Sequence, residues 1–69
     1  MSCTRAETLI ALREWGRPIT PTGLAHWMGR SRNLVGCNLI ALYARDLIDR
    51  VPHPGFKKRY IYLPKQVQG

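Results

Sequence analysis

At 69 residues, with eleven Lys and Arg against four Asp and Glu, the chain carries a formal net charge of +7, which points to polyanions as partners and says nothing about fold. So short a chain leaves no room for a second domain or a deep enclosed pocket, and its 45% apolar residues exclude the composition of a wholly disordered basic tail. The longest apolar runs, Leu9 to Leu12 and Leu39 to Ala44, fall far short of the about 18 residues a membrane-spanning helix requires.

The N-terminal MSCTRAETLI lacks the charged, apolar and small-residue segments of a secretory signal, so a cytoplasmic, nucleoid-associated protein is expected. Residues 1–3 are read as a disordered end. From Thr4, Leu9, Leu12 and Trp15 recur at spacing three with Ala6 and Ile10 on the flank, and Gly16 supplies a stop; together they predict an amphipathic first helix. Gly16, Arg17 and Pro18 then turn the chain.

Thr20 followed by Pro21 reads as a hydroxyl cap and a proline at the first helical position, where its missing N–H costs nothing. In the short helix they open, Leu24, Ala25 and Met28 share a face, His26 and Trp27 flank it, and Gly29 ends it. A third helix follows almost at once. Ser31 is its expected cap, Leu34 or Val35 with Leu39 and Leu42 form its apolar stripe to about Arg45, and Asp46 serves as a non-glycine stop.

Beyond Asp46 the periodicity shifts toward two: Leu47, Ile48 and Val51, then Pro52-His53-Pro54-Gly55, then Tyr60 to Leu63 before Pro64. Two β-prone runs around a Pro/Gly-rich stretch predict a hairpin with a long loop, its basic cluster Lys57, Lys58 and Arg59 at or beside the tip. Of Tyr60 to Leu63, one alternating pair is expected to face inward. One folded domain is thus expected over residues 4–64, with 65–69 a disordered tail.

Cys3 and Cys37 lie outside any C-x-x-C pair and outside ligand spacing of His26 or His53, so no metal site and no cofactor is expected. The two histidines, Cys37 and the scattered carboxylates supply neither a nucleophile and base pair nor a phosphate-cradling glycine loop, which argues against an enzyme. His53 reads as a solvated loop residue and Trp15 as core or a lid over it.

The order helix, helix, tight turn, helix, hairpin in a basic chain is that of an α+β, mostly helical, three-helix winged helix-turn-helix with a C-terminal β-hairpin wing. The stretch LAHWMGRSRNLVGCNLIALYARDLIDR resembles bacterial winged-helix repressors of the multiple-antibiotic-resistance and arsenic-responsive kind. The residues that carry the likeness are Leu24-Ala25, Met28-Gly29, Ser31, Val35, Leu39, Leu42, Leu47-Ile48 and Arg50, with Gly16 to Thr20 as the connection into helix two. The pattern departs at Asp46, where glycine is usual, and at Ile40 and Tyr43, which are commonly polar. No effector domain or extra dimerisation helix is visible, so the family's usual small-molecule sensing is not expected.

The resemblance implies a sequence-specific, double-stranded-DNA-binding transcription regulator, a repressor or an activator acting alone, as a homodimer or with a protein co-regulator. Helical spacing places Arg32, Asn33, Cys37 and Asn38 outward on the third helix. Arg pairs with guanine and Asn with adenine in a bidentate way, whereas Asn33 can also assist capping, Asn38 can be a plain solvated residue, and Cys37 a plain small one. Thr22, Arg30, Ser31, Lys57, Lys58 and Arg59 are the expected phosphate or wing contacts. Gly36 carries a helix penalty of about 1 kcal/mol relative to Ala, and close backbone approach is the favoured explanation.

A second class of function also fits: a winged-helix protein-interaction module within a larger assembly, without DNA. Ile40 and Tyr43, with Trp27, are its candidate interface, unless the first helix covers that stripe through Ile10 or Trp15.

Overall fold

The computed structural model describes residues 4–65; of the expected disordered ends at 1–3 and 65–69, residues 1–3 and 66–69 lie outside the described residues, and Lys65 is placed against Asp46. Three helices, α1 (Arg5–Trp15), α2 (Pro21–Met28) and α3 (Arg32–Ala44), precede two strands, β1 (Ile48–Pro52) and β2 (Tyr60–Pro64). The strands pair antiparallel in the register Ile48↔Pro64, Arg50↔Tyr62 and Pro52↔Tyr60.

Capping chemistry sets the helix boundaries. Glu7 N–H donates to the Thr4 hydroxyl, and Gly23 N–H donates to the Thr20 hydroxyl at 3.1 Å, so the starts of α1 and α2 each have a side-chain acceptor for an otherwise orphaned amide. Gly29 ends α2 at φ 69°, and the left-handed residue lets α3 begin three positions later. Ser31 holds the N-cap position of α3 but makes no side-chain capping bond.

At the far end of α3 the left-handed position falls on Asp46, at φ 62°. Leu47 N–H then donates back to the Leu42 carbonyl at 3.1 Å, which closes the helix and aims the chain into β1. Lys65, at the end of the hairpin, meets the Asp46 carboxylate at 2.6 Å.

Leu12, Leu24, Ala25, Val35, Leu39, Leu42, Ile48 and Tyr62 form the core with Ala11, and Leu9, Ile19 and Met28 pack against it. The buried stripe of α1 is Thr8, Ala11 and Leu12, rotated from the expected Leu9, Leu12 and Trp15 face. Thr8 can be buried because its hydroxyl donates to the Thr4 carbonyl and accepts from Asn38, so its polar atom does not go unpaired. Of the alternatives at 34 and 35, Val35 is buried and Leu34 exposed.

One connection was not legible in the sequence. Ile19, between α1 and α2, exchanges two backbone hydrogen bonds with Tyr62, at 2.8 and 2.9 Å. This bridge fastens β2 to the segment that opens α2, so the hairpin is held in a fixed position relative to the helices.

Candidate nucleic-acid interface

Between α3 and the hairpin runs an open groove of about 700 Å³, lined also by the start of α2 at Thr20, Pro21 and Thr22. Its helical wall is Arg32, Asn33, Gly36, Cys37 and Ile40, spaced three and four apart along one face of α3. The opposite wall comes from the hairpin: Arg50, His53, Lys58, Arg59, Tyr60 and Tyr62. Four cations, Arg32, Arg50, Lys58 and Arg59, line the groove, and none of the chain's four carboxylates does. Sparsely opposed positive charge over a concave surface focuses potential toward an anionic ligand.

Arg50 is the best-held of these cations. Its guanidinium stands 4.1 Å from the Tyr43 ring centre and 4.0 Å from that of Tyr60, between one ring from α3 and one from β2. Interaction with the Tyr62 hydroxyl, its partner across the strands, raises its pKa further above the ordinary arginine value, so the positive charge is present at any pH at which the domain is folded. Alternation from buried Ile48 places Arg50 on the helix-facing side of β1, a signal that period-two reading of the strand contained.

The long loop of the hairpin has internal structure. Gly55 N–H donates to His53 Nδ1 at 3.0 Å, and the Phe56 ring packs edge-on to His53 at 5.0 Å. The Arg59 guanidinium covers Phe56 at 4.8 Å. His53 is therefore half-buried and organises the tip rather than standing in solvent. Lys57 is exposed beside Lys58 at the same tip.

Of the residues expected to read bases, Arg32, Asn33 and Cys37 lie in the groove, and Asn38 does not. Asn38 is buried and donates through Nδ2 to the Thr8 hydroxyl at 3.0 Å. The assignment fails because position 38 lies one turn beyond Leu34 on the flank that α1 covers, where buried Thr8 supplies a polar partner. Thr22 lines the groove as expected. Arg30 is turned toward α1, with Glu7 at 3.8 Å, and is absent from the groove lining.

The three candidate interface residues separate. Ile40 belongs to the groove and Tyr43 supports Arg50, while Trp27 packs on Trp15 with ring centres 5.3 Å apart. The first helix covers neither Ile40, 57% exposed, nor Tyr43, 39% exposed.

The described residues contain no cluster of metal-ligating side chains, and no helix among them is long and apolar enough to cross a membrane. Solved structures similar to the whole arrangement include the following two. RV1404 from Mycobacterium tuberculosis matches with a TM-score of 0.72 at 29% identity, over 90% of this chain and 42% of that chain. This chain is a winged helix-turn-helix domain.

A mutant MarR from E. coli matches the same winged helix-turn-helix with a TM-score of 0.72 at 20% identity, over 88% of this chain and 44% of that chain. The chain thus spans less than half the length of either neighbour. No protein-family model matches it, and no curated protein does. In winged helix-turn-helix terms α2 and α3 are the two helices of the motif, and the hairpin from Ile48 to Pro64 is the wing.

Proposed function

We propose that this domain binds double-stranded DNA and regulates transcription, with α3 in the major groove and the basic wing on flanking phosphates or in the minor groove. The observation that carries this reading is the groove itself, four cations without a carboxylate alongside the exposed first turns of α3. A helix fits the major groove, where each base pair presents a distinct pattern of donors and acceptors. Arg32 and Asn33 are the residues that would take guanine and adenine edges, with Cys37 beside them. Arg50, Lys58 and Arg59, joined by Lys57 at the tip, would meet phosphates. The winged helix-turn-helix fold shared with the solved RV1404 and MarR structures suits this reading, since it presents a helix and a wing to a duplex.

The test is duplex binding as a function of salt. Neutralising 4 to 6 phosphates per protomer releases their counterions, and the log affinity then falls against log salt with a slope of about −4 to −5. A flat dependence, or no binding at low salt, favours a protein-interaction module instead. One observation favours a protein partner in addition to DNA: Trp27 is 46% exposed beside Trp15, outside the groove lining. A second copy docked there would make the domain a dimer with half-sites about one helical turn apart. Sedimentation of wild type and Trp27→Glu, free and on DNA, tests that arrangement.

A further inference from the structure

Gly36 has no structural reason within the fold to be glycine. It lies in the middle of α3 without a positive φ, and a Cβ built there meets nothing within 4 Å. Alanine at this position would gain about 1 kcal/mol in helix propensity without a clash. One turn further along the same face, Ile40 is 57% exposed and is the aliphatic side chain of the groove's helical wall, beside Arg32, Asn33 and Cys37. A lone exposed isoleucine is ordinary on a protein surface; one that adjoins an unfilled notch on the proposed reading face is not explained by the domain alone.

The major-groove edges of the four base pairs carry a single apolar group, the C5-methyl of thymine. We propose that Gly36 and Ile40 form a receptor for that methyl: the absent side chain at 36 lets the base edge approach the helix backbone, and Ile40 gives it an apolar wall. The inference rests on the DNA-binding reading of the groove and adds a sequence preference to it, a thymine beside the base pairs taken by Arg32 and Asn33. Two features that the fold leaves unaccounted for, a helix-weakening glycine and an exposed aliphatic residue, then have one cause.

The experiment uses the preferred duplex, selected from a random pool by the wild-type protein, with each thymine replaced in turn by deoxyuridine, which lacks only the methyl. One position is expected to weaken wild-type binding about fourfold, the equivalent of one methyl-sized group removed from water. Ile40→Ala should bind the thymine and deoxyuridine duplexes equally. Gly36→Ala should melt at a higher temperature than wild type and yet bind the selected duplex several-fold more weakly, opposite signs that a purely structural role does not produce. Failure to bind any duplex at low salt overturns the DNA-binding reading itself. Binding with equal deoxyuridine sensitivity in wild type and Ile40→Ala, or Gly36→Ala binding as tightly as wild type, overturns the methyl receptor alone.

Discussion

The Arg50 guanidinium lies 4.0 Å from the centre of the Tyr60 ring, its diagonal neighbour across the strand pair, and Tyr43 closes the other side from α3. A cation on an aromatic face is worth about 0.5–1 kcal/mol at an exposed site, and here the geometry also fixes where the charge points. The two rings limit the rotamers of a long side chain, so less entropy is lost when it meets an anion.

Arg50→Ala is therefore expected to weaken duplex binding at every sequence and to make the salt slope shallower by about 1. Arg50→Lys should restore the slope without full affinity, because an ammonium cannot lie flat between two rings. Titrations at several salt concentrations check both. An unchanged slope in Arg50→Ala would mean that the guanidinium serves only to pack the wing against α3.

Arg32 and Asn38 should behave oppositely although both are polar residues of α3. Arg32 is exposed in the groove, so Arg32→Ala should leave the melting temperature unchanged, cost about 1–3 kcal/mol of binding at the preferred site and relax selectivity there. Asn38 is buried against Thr8, so Asn38→Ala should cost about 1–3 kcal/mol of stability by removing a buried hydrogen-bond partner. Its folded fraction should retain wild-type selectivity. Denaturant unfolding and competition binding, measured on the same samples, separate the two effects.

The wing tip should contribute affinity without selectivity. Lys57 and Lys58 are exposed at the loop, away from the helical wall of the groove, and phosphates carry no base identity. Lys57→Ala combined with Lys58→Ala is expected to weaken preferred and random duplexes by the same factor. A change in the ratio between the two duplexes would instead assign base reading to the wing.

The architecture was legible because its signals are local. Thr20-Pro21, Gly29 and the proline-rich loop act through capping, left-handed backbone and missing N–H groups, each decided within a few residues. What escaped the sequence depends on contacts between distant segments. Asn38 and Thr8 are thirty positions apart and explain each other's burial; read separately, each is an ordinary solvent-facing polar residue. The rotation of the α1 stripe has a related origin, since Thr8 enters the core with its hydroxyl satisfied by the Thr4 carbonyl and by Asn38 opposite it. The apolar spacing of Ile40 and Tyr43 shows a second stripe, and only the placement of the wing shows that Ile40 borders the groove while Tyr43 stacks on Arg50. In the sequence Arg50 is one position of a family pattern, and the tyrosines that hold it come from two other elements.

Asp46 occupies the one left-handed position that a non-glycine residue holds among the described residues, at φ 62°. An L-residue in this conformation is disfavoured by about 1–2 kcal/mol, less for Asp than for most because its short polar side chain can compensate locally. Glycine removes that strain but makes the unfolded chain more flexible, so Asp46→Gly should stabilise by at most about 1 kcal/mol, and Asp46→Ala should destabilise by a similar amount. The contact with Lys65 is the competing consideration, since both substitutions remove its carboxylate. The Asp46 side chain is 84% exposed, and ion pairs in water contribute little. The hydrogen bond to Asp46 nonetheless raises the Lys65 pKa above its usual value, so whatever the pair contributes is present at neutral pH and is lost as pH climbs through that raised value. Unfolding midpoints of Asp46→Gly, Asp46→Ala and Lys65→Ala at neutral pH decide between backbone and charge. Backbone strain as the controlling factor predicts a stabilised glycine variant, a destabilised alanine variant and no measurable change on removing Lys65. Equal destabilisation in all three would show that the ion pair, and not the left-handed backbone, governs how α3 ends.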